Sequence, residues 1–184
     1  MDPIAWKRSI VEMVRVLQQM SQLDTEHLWE YHLPEVAATA ADIEKVEDSL
    51  GERLNSHQRA FLEVAGGWRG FYQRVDLFGP RDFLGSDQFR HAQELLSYLE
   101  DSVLVDSGFE RGDLLPIACS SVNIDLFVIA GWSAAAPGTV IWFEGAEIDR
   151  YPSFDDFFLA MIEYNRREVA FLATGTWAPE LDEA

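Results

Sequence analysis

The chain has a single cysteine, Cys119, which excludes an internal disulfide framework and any cysteine-rich zinc site. No apolar run approaches eighteen residues; the longest, such as LFVIAGW at 126–132, are short and interrupted by charge, so no membrane-spanning helix is expected. The opening residues MDPIAWKRSI lack the uninterrupted apolar segment of a secretory signal, and the expected location is cytoplasmic. Cations are scarce: 14 Lys and Arg stand against 32 Asp and Glu, a formal charge of −18. Such a surface repels nucleic-acid phosphates and anionic lipid, so neither nucleic acid nor membrane is an expected partner, whereas a basic macromolecule is attracted over a long range.

What is present is apolar and aromatic. Of 184 residues, 48% are apolar, and twelve Phe with six Trp supply enough area to offset chain entropy in one compact domain. Asp2-Pro3 opens a helix that places Ile10, Val14, Leu17 and Met20 on one stripe, with Lys7, Arg8 and Arg15 on the wet face. A short helical turn is expected over 26–34, ending before Pro34. Thr39 and Asp42 form a capping box for a helix carrying Ile43, Val46 and Leu50 and closed by Gly51, and Ser56 is expected to cap the next.

After Gly70 the period changes. Phe71, Tyr72, Val75, Leu77 and Phe78 favour strand, and Phe89, Ala92, Leu95, Leu96 and Leu99 restore a helical stripe. Residues 114–121 and 122–131 read as paired strands, and 139–144 with 147–151 as a hairpin across Gly145-Ala146. Ser153 and Asp156 start a final helix with Phe154, Phe157, Phe158, Met161 and Ile162 inward, reaching about Leu172. Helices, then a meandering sheet, then a closing helix make an α+β fold: an antiparallel or mixed sheet flanked by helices, with an extra N-terminal helix. The expected organisation is an N-terminal helical extension (1–35), a domain over 36–172 and an acidic tail (173–184).

Candidate chemistry is thin. His27 and His32 are five apart, which points them about 140° apart on a helix, and no HExxH motif is present. Cys119 lies in an apolar strand, where a thiol is an inert small hydrophobe. Gly66-Gly67-Trp68-Arg69-Gly70 has no dinucleotide spacing, and its glycines read as a helix stop and a sharp turn. Adjacent acids such as Asp155-Asp156 are explained by the helix macrodipole. Trp142 and Phe143 read as core; Trp68, Trp132 and Trp177 sit beside small residues in expected loops. No catalytic residue, metal ligand or cofactor site emerges. What remains is acid density, which serves solubility or steers a cationic protein.

The run TAADIEKVEDSLGERLNSHQRAFLEVAGGW, then GDLLPIACSS (112–121), GTVIWFE and YPSFDDFFLAMI resembles, in order and spacing, the SUKH superfamily, which includes the yeast Smi–Knr cell-wall regulators. The likeness covers roughly 39–170. It departs where the family commonly has Leu-Pro (here Leu54-Asn55), Asn-Gly (Ala65-Gly66) and a Gly-Asp after the LPIA strand (Val122-Asn123). The resemblance implies a non-enzymatic α+β fold and, for bacterial members, an immunity protein that neutralises a cognate, basic toxin, frequently a nuclease. A Smi–Knr-type regulatory scaffold is the alternative. The residues expected to meet the partner are Trp68, Phe71, Asp76, Asp106, Asp113, Glu144 and Glu147, aromatic anchors ringed by carboxylates. No oligomeric state is implied.

Overall fold

The structure, a computed structural model, describes residues 1–175. Asp2 opens helix α1 (Pro3–Leu23): its carboxylate accepts from the amides of Ile4 (2.9 Å) and Ala5 (2.8 Å), with Pro3 in the first turn. The buried stripe is wider than expected. It includes Trp6, Met13 and Val16 besides Ile10, Leu17 and Met20, while Lys7, Arg8 and Arg15 stay exposed.

The expected helical turn over 26–34 does not form. Buried Asp24 takes the local amides instead, accepting from Leu28 N (2.9 Å), Trp29 N (3.2 Å) and the Tyr31 hydroxyl (3.0 Å). Burial alone would raise the Asp24 carboxyl, but these hydrogen bonds outweigh it and hold the group below the usual range. Helix α2 (Ala40–Leu50) has the expected box: Thr39 Oγ1 accepts from Asp42 N, Asp42 Oδ2 from Thr39 N, and Gly51 closes the helix at φ 72°. Helix α3 (Ser56–Leu62) is capped one residue earlier than expected, by Asn55, whose Oδ1 accepts from His57 N at 2.9 Å.

Strands β1 (Trp68–Tyr72) and β2 (Val75–Leu77) precede the short α4 (Pro80–Phe83), α5 (Asp87–Tyr98) and α6 (Asp101–Ser107). Then come β3 (Leu114–Ser120), β4 (Leu126–Ala130), β5 (Val140–Phe143), β6 (Glu147–Tyr151) and α7 (Phe154–Thr174). The six strands lie in sequence order and every pair is antiparallel, so the sheet is a pure meander. Residues 122–125 do not extend β4 as expected, because Ser120 Oγ accepts from Val122 N (3.2 Å) and Asn123 N (3.3 Å) and folds them into a loop. What remains of β4 is buried on both faces rather than alternating.

Helices cover both faces. On one, Phe157 of α7 packs against Phe71 (5.8 Å between centroids) and Phe127 (5.4 Å). On the other, α5 lies against β3 and β4. Helix α1 runs parallel to α7 and inserts Trp6 edge-on against Phe61 (5.3 Å) and Phe158 (5.2 Å). The N-terminal helix is therefore a wall of the shared core rather than a detached extension. Of the tail, 173–174 complete α7; Trp177 and the rest of 176–184 lie outside the described residues.

Candidate protein-interaction face

The antiparallel register brings three connections to one end of the sheet: the Gln73-Arg74 hairpin, the 121–125 loop and the 144–146 turn. Two grooves open there, one on each side of the 121–125 loop.

The first, about 400 Å³, lies between residues 27–32 and the β1–β2 hairpin and includes His27, Arg69, Gln73, Arg74 and Asp76. Its surroundings are interlocked. Residues 30–38 cross directly over 66–70, with Glu35 N donating to Gly67 O (2.9 Å) and Gly66 N to Glu35 O (3.1 Å). The crossing admits no side chain: a Cβ on Gly79 would lie 1.6 Å from Gly66 O, and one on Gly66 would lie 2.2 Å from Val36 O. These glycines permit backbone contact, a role beyond stop and turn.

The Arg69 charge here is internally paired. Arg69 reaches Asp82 (2.6 Å), Asp76 (3.2 Å) and Glu35 (3.6 Å), while Asp82 also accepts from Gly79 N (2.9 Å). Burial would lower the Arg69 guanidinium, but its hydrogen bond to Asp82 and the two neighbouring aspartates raise it, so the cation is held. Asp76, an expected contact residue, accepts from Gly70 N (2.8 Å) as well as Arg69. Trp68 and Phe71 are fully buried and cannot be contact anchors. The Trp68 indole donates to His32 O at 2.9 Å beneath the crossing segment, and Phe71 faces α7. The glycines beside Trp68, which suggested a loop, are what let the backbone close over it.

Asp113 lies at the opposite end of the sheet, accepting from Ser133 Oγ (2.7 Å) next to Trp132, which is 57% exposed and donates to Arg53 O (3.0 Å). Glu144 and Glu147 lie at the other end.

The second groove, about 380 Å³, is apolar: Leu95, Tyr98, Leu99, Val103, Ile124 and Leu126 line it, with Glu100 at its edge and Gly145 closing one side. Arg111 shapes its helical wall by donating to the carbonyls of Leu96 and Leu99 (2.8 Å) and to Asp101 (2.9 Å), holding the α5–α6 elbow. Arg150 ties α6 to β6 through Ser107 O (2.7 Å) and Glu147 (2.7 Å) and lies over Phe109. The loop wall is equally set: buried Asp125 accepts from Asn123 Nδ2 (2.7 Å) and Trp142 Nε1 (2.7 Å), which leaves Val122 and Ile124 pointing outward.

Exposed apolar side chains line this groove. Tyr98 is 77% and Ile124 51% exposed, with Val122, Val105 and Ile148 exposed on the adjoining elements. Of the expected contact residues, Asp106 stands on α6, Glu144 in the β5–β6 turn beside Gly145 and Glu147 at the start of β6, on elements that adjoin the groove. Asp106 and Glu144 form no ion pair among the described residues, and Glu147 pairs with Arg150. Tyr98, Val122 and Ile124 were not anticipated. Tyr98 carried a readable signal, lying about 100° around the helix from Leu99 and so off the buried stripe. Val122 and Ile124 were masked because alternation mimics a strand.

As for chemistry, Cys119 is buried, and burial pushes its thiol up to about 12. His57 Nδ1 lies 3.0 Å from Asp155. Among the described residues no three His, Cys, Asp or Glu side chains converge as metal ligands do, and no helix is long and apolar enough to cross a membrane.

Comparison with known proteins agrees with this architecture. Among curated proteins none matches the chain. A family model, that of the SMI1 / KNR4 family (SUKH-1), matches residues 37–160, about two thirds of the sequence, from the α2 capping box to the first turns of α7. On that match, the chain belongs to the SMI1 / KNR4 family (SUKH-1).

Proposed function

We propose that this chain is a non-catalytic binding protein that neutralises a cognate, basic protein toxin of a polymorphic or contact-dependent system, and that it acts in the cytoplasm. A nuclease fits the charge best: an enzyme that grips phosphates presents a cationic cleft, and a strongly acidic domain competes for it. The observation that carries this reading is the charge of −18 on a family scaffold. The complex is expected to bury about 800 Å² per partner.

Co-expression with each basic C-terminal domain encoded by the adjacent open reading frames tests it. Growth should be restored and a salt-sensitive complex should co-purify. A toxin domain that stays lethal and is not retained would exclude the role.

A regulatory scaffold is the second reading, favoured by one observation. Helix α1 and the second half of α7 pair with each other, both outside the family match, and α1 turns Ile4, Lys7, Arg8, Val11 and Arg15 to solvent. Deleting α1 cannot discriminate the two, since Trp6 and Met13 are core. Replacing Lys7, Arg8 and Arg15 by Glu can: a toxin inhibitor should keep protection, whereas a scaffold should lose partners.

A further inference from the structure

Resting on the binding role above, we infer that the apolar groove between the α5–α6 elbow and the 121–125 loop is the docking site, and that it receives one apolar side chain of the partner flanked by Lys or Arg. Three independent features converge on it. The first is exposed apolar area: Tyr98 and Ile124, both exposed, line one depression with Leu95, Leu99, Val103 and Leu126, and such patches rimmed by polar groups mark interaction surfaces. The second is preorganisation. Arg111 pins the helical wall and the Asp125–Trp142–Asn123 network pins the loop, so little ordering entropy remains to be lost on binding.

The third is charge. Glu100 lines the groove, Asp106 stands on α6 three residues from the lining Val103, and Glu144 precedes the lining Gly145; none has an ion pair among the described residues, and the two cations nearby, Arg111 and Arg150, are already engaged by Asp101 and Glu147. An incoming ammonium or guanidinium therefore meets free carboxylates, and an incoming carboxylate meets repulsion. At about 380 Å³ the groove equals roughly a dozen waters at about 30 Å³ each, room for one large aliphatic or aromatic side chain. A second copy apposed face to face would set these carboxylates against each other, so an isologous dimer is disfavoured.

Two measurements test the site. In the first, a blocked Arg-Leu-Arg peptide is titrated into the isotopically labelled full chain and amide shifts are followed by NMR. Shifts confined to residues 95–106, 122–126 and 144–148 are expected, and they should disappear in Ile124→Glu. Shifts scattered over all acidic surfaces would overturn the proposal.

The second measures capture of the neighbouring toxin domain by Tyr98→Ala, Ile124→Glu and the double variant Asp106→Lys/Glu144→Lys. Truncating a central anchor should weaken binding by about 30-fold or more. The charge reversal should mainly slow association and flatten its salt dependence. Unfolding profiles matching the parent show that the variants are folded. Capture at parental affinity by all three would overturn the site while leaving the toxin-binding role standing. Localised peptide shifts with no capture of the toxin domain would do the reverse. Concentration-dependent self-association abolished by Ile124→Glu and by reversal of Lys7, Arg8 and Arg15 would assign the groove to a second copy and overturn the proposed occupant.

Discussion

The two grooves at the hairpin end of the sheet share the 121–125 loop and draw on the same residue types, but they use charge and apolar area in opposite ways. Beside the β1–β2 hairpin, Arg69 is matched by Asp76, Asp82 and Glu35, Trp68 is covered by residues 30–38, and backbones touch where only glycine fits. Across the loop, Tyr98 and Ile124 remain in solvent, with Asp106 and Glu144 left unpaired among the described residues. The difference teaches that an acidic or aromatic residue type does not mark an interface. What marks it is whether the fold has already supplied its partner. A buried charge without its partner is costly, so the first region is committed to stability, while the second is free to serve recognition.

The contrast makes graded predictions. The largest effect is expected from Gly79→Ala. Its Cβ would meet the Gly66 carbonyl oxygen at 1.6 Å, and no flexible side chain can yield there. A loss of more than about 4 kcal/mol in urea unfolding, or failure to fold, is expected; a folded variant near parental stability would show that the crossing is loose. Next comes Asp82→Ala, which removes the buried acceptor of both Arg69 and Gly79 N. About 2–4 kcal/mol should be lost, within the range for breaking a largely buried, hydrogen-bonded charge pair.

A smaller effect of opposite sign is expected at Glu168, beneath the same hairpin, where Gln73 donates at 2.7 Å. Burial raises this carboxyl above its ordinary value. Because the folded value exceeds the unfolded one, about 4.3, the native state binds the proton more readily, and that stabilisation fades as pH rises through the folded value. Glu168→Gln should therefore raise the melting temperature near neutral pH, with the gain vanishing as pH falls toward about 4. A variant less stable at neutral pH would assign the charge a favourable partner.

The smallest effect belongs to the open side. Tyr98→Ala and Asp106→Lys/Glu144→Lys should each change stability by no more than about 0.5 kcal/mol, as for ordinary surface positions. A large loss there would erase the distinction between the two regions.

Local signals survived folding where their cause was local. The caps at Asp2, Thr39 and Ser153, the Gly51 stop and the 147–151 hairpin strand depend on atoms a few residues apart. Helix α6 escaped notice because seven residues carry too little periodicity, and the turn over 26–34 failed because Asp24 competes for its amides. Among the residues expected to meet a partner, Trp68 and Phe71 are core, and Asp113 lies at the other end of the sheet from Glu144 and Glu147. Glycine neighbours could not reveal whether an aromatic is left open or covered by a segment more than thirty residues away.

The amino-acid sequence alone determined the α+β class, the longer helices, the family motifs and the negative field, because periodicity, capping and charge are properties of neighbours and of sums. Tertiary structure alone decided which aromatics are covered, which carboxylates already have a cation, and that α1 is a wall of the core. Each of these depends on atoms distant in the chain meeting at a few ångströms, and no local pattern encodes that distance.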